Sequence, residues 1–176
     1  MKKKKIIGKF EDVFILAEDA PQVRAVYDKG RFGEPNGKRF RYSFVEALYL
    51  VEKNLMEVVD SRKKVLDFDT FLRKAKKIEP KFWVRYYAYK DMRTRGYIVK
   101  TALKFGADFR VYDRGVKPGA DHAKWVMYAV HEGESFSWHE FSAKNRVAHS
   151  TKKNLLIGIV DDEGEVTYYE IDWKRP

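Results

Sequence analysis

The strongest constraint in this chain is the run at positions 154–160, Asn-Leu-Leu-Ile-Gly-Ile-Val, which carries no charge. A strand apolar at successive rather than alternate positions is buried on both faces. The C-terminal half is therefore expected to hold a sheet lying between helices. The run is followed by the turn Asp162-Glu163-Gly164-Glu165 and by a return strand at 166–173. Upstream, residues 98–103 and 107–112 around Gly106, and 125–130, read as further strands. Residues 137–150 read as a helix.

The N-terminal half has a different rhythm. Residues 13–17 and 23–27 read as strands, with turns at Asp28-Lys29-Gly30 and Glu34-Pro35-Asn36-Gly37 and another strand at 39–42. Ser43 and Glu46 form a capping-box pattern ahead of Phe44, Leu48, Val51 and Leu55 at helical spacing. Val58-Val59 is a short strand. Asp67 opens a helix striped by Phe68, Phe71, Leu72 and Ala75. Pro80 ends that unit and starts the next helix, which holds Trp83, Tyr86, Tyr87 and Lys90. The expected fold is α+β in two parts. Residues 1–80 pack helices on a small antiparallel sheet, and residues 81–176 form a mixed-sheet domain flanked by helices.

Composition narrows the chemistry. Lys and Arg number 36 against 26 Asp and Glu, a net charge of +10, which fits a polyanionic partner such as nucleic acid. The absence of cysteine excludes disulfides, thiolate nucleophiles, zinc fingers and iron–sulfur clusters. No apolar run approaches the ~18 residues of a membrane span, and the basic start has no apolar region behind it, so a cytoplasmic protein is expected. The lysines from Lys2 to Lys5 read as a mobile tail attracting RNA nonspecifically. A single glutamine, Gln22, beside many Lys, Glu and Arg matches thermophile composition.

The four histidines, His122, His131, His139 and His149, form no HExxH and no i,i+4 pair. The adjacent pairs His131-Glu132 and His139-Glu140 would point apart on a helix. The acidic run Asp161-Asp162-Glu163-Gly164-Glu165 reads as a solvated hairpin turn rather than a Mg²⁺ site. No P-loop, GxGxxG or nucleophile elbow is present. No metal and no cofactor is therefore expected. Tyr, His and Lys remain as the acid–base set, which suits RNA cleavage through the substrate's own 2′-hydroxyl.

Residues 97–115, with Phe109-Arg110-Val111-Tyr112-Asp113-Arg114-Gly115, resemble the core of the archaeal tRNA-splicing endonuclease family. So do His122, Arg146-Val147-Ala148-His149-Ser150-Thr151-Lys152-Lys153 and the stretch from Leu155 to the C-terminus. Positions 43–50 follow the family in the N-terminal half, and the length is that of its short homotetrameric form. The resemblance implies a Tyr–His–Lys triad at Tyr112, His122 and Lys153, with Leu155-Leu156-Ile157 setting the register that selects Lys153 over Lys152. It implies cleavage of precursor tRNA at both splice sites of a bulge–helix–bulge, leaving 2′,3′-cyclic phosphate and 5′-hydroxyl ends. Arg146 matches the family's base-gripping arginine, and Trp173 is a candidate partner for it. Tyr169 and Ile171 on the last strand are expected at an isologous dimer contact. Asp161, Asp162, Glu163 and Glu165 resemble the acidic loop that joins two dimers into a tetramer.

Taken singly, Tyr112 reads as a half-buried aromatic, His122 as a loop histidine and Lys153 as surface charge. Their joint match to one motif favours catalysis. The alternatives are a noncatalytic RNA-binding or structural subunit of such an endonuclease, and a DNA nuclease, which would need a metal-binding carboxylate cluster.

Overall fold

The computed structural model describes residues 4–176, so the expectation for Lys2 and Lys3 lies outside the described residues. The chain divides into two compact units, Met1–Trp83 and Val84–Pro176. The class is α+β.

The first unit contains β1 (Ile6–Phe10), β2 (Ile15–Glu18), α1 (Pro21–Gly30), β3 (Glu34–Asn36), β4 (Arg39–Tyr42), α2 (Phe44–Glu52), β5 (Met56–Val59), β6 (Val65–Leu66) and α3 (Phe68–Ile78). Its six strands run in the order β3-β4-β2-β1-β5-β6. The β1–β5 pair is parallel, so the sheet is mixed where an antiparallel one was expected. Parallel neighbours need a long connection, and this one runs through β2, α1, β3, β4 and α2. Gly8 permits the tight β1–β2 approach, because a Cβ there would lie 2.5 Å from Ile15 Cγ2.

Two local readings are corrected. Residues 23–27 are helical, inside α1: Pro21 occupies the first helical positions, after extended Ala20, and presets the backbone for a helix. Glu34–Asn36 is strand β3, and the hairpin turn falls at Gly37-Lys38. Strand β1 was not anticipated. Lys5 at its start is ion-paired with Glu57 at 2.8 Å, so it is no part of a free tail.

The capping box forms as expected. Glu46 accepts from Ser43 N and Oγ, and its other carboxylate oxygen accepts from Gly33 N. These three donors satisfy a buried carboxylate. The core is aromatic: Phe10 stacks on Phe44 with centroids 4.9 Å apart, and Phe71 meets both rings edge-on.

The second unit contains most of α4 (Phe82–Thr94), followed by β7 (Ile98–Thr101), β8 (Phe109–Tyr112), β9 (Trp125–His131), α5 (Trp138–Ser150), β10 (Asn154–Val160) and β11 (Val166–Ile171). Residues Leu103–Phe105 form a 3₁₀ turn instead of extending β7. The order is β11-β10-β9-β8-β7, and β9 and β10 are parallel. Val126, Tyr128, Val130, Leu155 and Ile157 pack against Ala148 of α5. On the other face Tyr89 of α4 meets Phe109, and the Tyr168 hydroxyl donates to Asp91 of α4. The strand at 154–160 is covered on both faces, as its pattern requires. Among the described residues no helix is long and apolar enough to cross a membrane.

Candidate active site

Strand polarity gathers the chemistry at one end of the second sheet. Strand β8 ends at Tyr112, antiparallel to β9, which begins at Trp125. Strand β10 begins at Asn154, opposite Trp125 and parallel to β9. The end of β8, the segment entering β9 and the segment entering β10 therefore converge. Tyr112, His122 and Lys153 occupy these three positions and line one cleft of about 340 Å³, with Arg110, Asp121 and Ala123.

Each side chain is placed by local structure. Tyr112 is 5% exposed and shares a sheet face with Arg110, two residues earlier. His122 is exposed on the loop between β8 and β9, and its backbone N–H donates to Asp121 Oδ1 at 2.7 Å. Lys153 is set by the end of α5. Lys152 N–H donates to the His149 carbonyl and Lys153 N–H to the Ala148 carbonyl. This is a Schellman motif, with Lys152 in the left-handed position at φ 55° that glycine usually fills. The motif leaves Lys152 exposed and turns Lys153 into the cleft. Lys153 Nζ donates to the Thr151 carbonyl at 2.8 Å. Partial burial, and secondarily the charge of Arg110, lower its pKa below the ordinary lysine value. A phenol on a largely buried tyrosine, an exposed imidazole and a cation in one concave site form an acid–base set with a place for an anion.

Arg146 and Trp173 line a second pocket of about 520 Å³ with Phe141, His149, Ile171 and Lys174. Trp173 is 53% exposed, and its ring lies 4.7 Å from that of His149, a contact the sequence did not disclose. Tyr169 is 57% exposed on β11, which forms a sheet edge, whereas Ile171 packs partly against its own core.

The acidic turn is tightly organised. Asp161 Oδ1 accepts from the N–H groups of Glu163 and Glu165, both at 2.9 Å. Gly164 sits at φ 85° against the ring of Tyr87. His131 ends strand β9. Gly133 N–H donates to its Nδ1 and its Nε2 lies 2.9 Å from Asp162 Oδ1, so Nε2 carries the hydrogen in the neutral ring. Among the described residues, one set of potential metal ligands gathers: His131, Glu132 and Asp162, with ligand atoms within 4.8 Å of one another. It lies at the opposite end of β9 and β10 from the cleft.

Sheet order, cleft and aromatic pocket together define a two-unit α+β protein whose second sheet carries a cleft lined by Tyr112, His122 and Lys153. Two family models match the chain: tRNA intron endonuclease, N-terminal domain, over residues 6–72, and tRNA intron endonuclease, catalytic C-terminal domain, over residues 82–168. The chain belongs to the tRNA intron endonuclease family. It is 49% identical over 138 residues to a tRNA-splicing endonuclease of Nanoarchaeum equitans, covering 75% of this chain and 88% of the relative. It is 39% identical over 151 residues to that of Pyrococcus horikoshii, covering 86% of each. With the Methanococcus maripaludis enzyme the identity is 39% over 173 residues, covering 98% of this chain and 97% of the relative.

Proposed function

We propose that this chain cleaves precursor tRNA at both splice sites of a bulge–helix–bulge, without a metal, residues 81–176 forming the catalytic domain. The observation that carries the reading is the convergence of Tyr112, His122 and Lys153 on one cleft from three separate segments. Tyr112, as phenolate, takes the proton of the 2′-hydroxyl. The 2′-oxygen attacks the adjacent phosphorus, and the bond to the 5′-oxygen breaks. His122, as imidazolium, gives that oxygen its proton. Lys153 balances the charge that accumulates on the non-bridging oxygens. The products are a 2′,3′-cyclic phosphate and a 5′-hydroxyl, and proton exchange with solvent resets both groups.

Arg146 and Trp173 grip an unpaired bulge base, a contact worth about 1–3 kcal/mol per stacked base. Recognition by splayed bases and helix shape suits RNA, whose deep major groove side chains do not read. Two cuts require two spaced sites. We assign the unpaired edge of β11, with Tyr169 and Ile171, to an isologous dimer, and the turn carrying Asp161, Asp162, Glu163 and Glu165 to the joining of dimers into a tetramer. The test is incubation of the purified protein with a bulge–helix–bulge RNA in EDTA, followed by end analysis. Cyclic phosphate and 5′-hydroxyl ends are expected. Intact RNA, or cleavage only with added divalent metal, would overturn the reading.

A further inference from the structure

Arg110 lies on the same face of β8 as Tyr112 and lines the same cleft as Lys153. Its guanidinium sits 6.0 Å from the ring of Phe105. Its Nε is shielded from solvent and has no hydrogen-bond partner. Buried donors are rarely left unpaired, so a guanidinium lining the cleft with an unpaired Nε is poised to turn toward an acceptor that the ligand brings. In cross-strand register Arg110 stands opposite Lys100, itself buried, so positive charge gathers on this face. Lys153 Nζ, meanwhile, already spends one donor on the Thr151 carbonyl.

We propose that Arg110 is a second cationic contact to the scissile phosphate, its Nε–H donating to one non-bridging oxygen while Lys153 faces the other. The proposal rests on the RNA-cleavage reading and adds a residue to it. A phosphodiester carries one negative charge and the phosphorane two, so a second fixed cation gains strength as the transition state forms. A guanidinium suits the task because its donors keep a rigid planar arrangement and it does not titrate near neutrality.

The test pairs variants with sulfur substitution. Single-turnover cleavage by the full chain is measured for wild type, Arg110→Gln and Arg110→Lys, on RNA carrying oxygen or either phosphorothioate diastereomer at the splice site. Arg110→Gln is expected to slow the oxygen substrate roughly 10- to 100-fold, the scale of one charge-assisted hydrogen bond, with Arg110→Lys between the two. One diastereomer is expected to react more slowly than oxygen with wild type, and that ratio should fall to about one in Arg110→Gln. If Arg110 only packs on Phe105, both variants keep the wild-type sulfur ratio, and the proposal is overturned. A wild-type chain that cuts no RNA sinks the ribonuclease reading, and the anion contact is then judged by titrating inorganic phosphate against the arginine Nε–H signals in ¹H–¹⁵N spectra. A shift of the signal that is lost in Arg110→Gln supports the contact. An unmoved signal refutes it.

Discussion

Replacing Lys153 by Met separates what this residue does for chemistry from what it does for folding. The ammonium is half-buried and donates to the Thr151 carbonyl, so its removal leaves that carbonyl to water. A hydrogen bond to a charged group is worth about 1.5–3 kcal/mol. At ~1.4 kcal/mol per tenfold, the single-turnover rate should fall roughly 10- to 150-fold. Stability should move the other way or not at all. The folded-state pKa of Lys153 lies below its ordinary value of 10.5. The unfolded chain therefore binds more protons between those two pKa values, and wild-type stability rises with pH across that window. Below the folded pKa the full cost of holding the charge is present. Lys153→Met removes that cost, so near neutral pH the variant should be no less stable than wild type by more than ~0.5 kcal/mol. The difference should shrink as pH approaches the unfolded value. Rapid-quench cleavage and denaturant melts at several pH values measure the two quantities. Lys152→Gly is the comparator: glycine relieves a left-handed strain of about 1–2 kcal/mol, so this variant should melt higher and cut at nearly the wild-type rate. A Lys153→Met rate within threefold of wild type, or a larger loss in Lys152→Gly, would refute the assignment.

Tyr112→Phe should keep RNA affinity in a filter-binding assay and lose most of the single-turnover rate; near-normal turnover removes it from the role of base. His122→Ala should slow a normal 5′-oxygen leaving group by roughly 10²–10⁴-fold and affect a 5′-thio leaving group far less; equal losses on both would contradict its role as acid. Replacing Asp161, Asp162, Glu163 and Glu165 together by Ser should give folded dimers by light scattering, and a persisting tetramer would sink the docking role. Gly8→Ala places a Cβ 2.5 Å from Ile15 Cγ2, so thermal melts should show a loss of about 1–3 kcal/mol.

Where a short segment carries its own punctuation, the sequence reads well. Ser43 with Glu46, Ser137 through Ser150, and the apolar run at 154–160 each state their element locally. Residues 23–27 fit both periods. Val23, Ala25 and Tyr27 alternate, while Val23, Val26 and Tyr27 sit at helical spacing, and Pro21 just ahead is what decides. Strand β1 went unread because Ile6-Ile7-Gly8-Lys9-Phe10 follows a basic start, and only one of its two partners, β2, is close in sequence while β5 lies about fifty residues away. None of Tyr112, His122 or Lys153 stands out alone, since their convergence is a product of strand order, and a motif matched as a whole was the only signal. Arg110 had a weaker one, its two-residue spacing from Tyr112 on a strand. The His149–Trp173 contact left no trace in the pattern.

The parallel pairing of β9 with β10 also acts as a ruler. Asn154 faces Trp125 at one end, and Val160 faces His131 at the other. Tyr112 and Lys153 belong to the first end, and Asp161 and Asp162 follow directly on the second. At ~3.3 Å per residue the strand separates them by about 20 Å. The hydrogen bonds of Asp161 and the ring of Tyr87 hold the turn at its own end. The acidic turn therefore cannot fold back and occupy the cationic cleft of the same chain. The length of one strand, rather than any repulsive contact, keeps the acidic turn and the positive charge of the cleft apart.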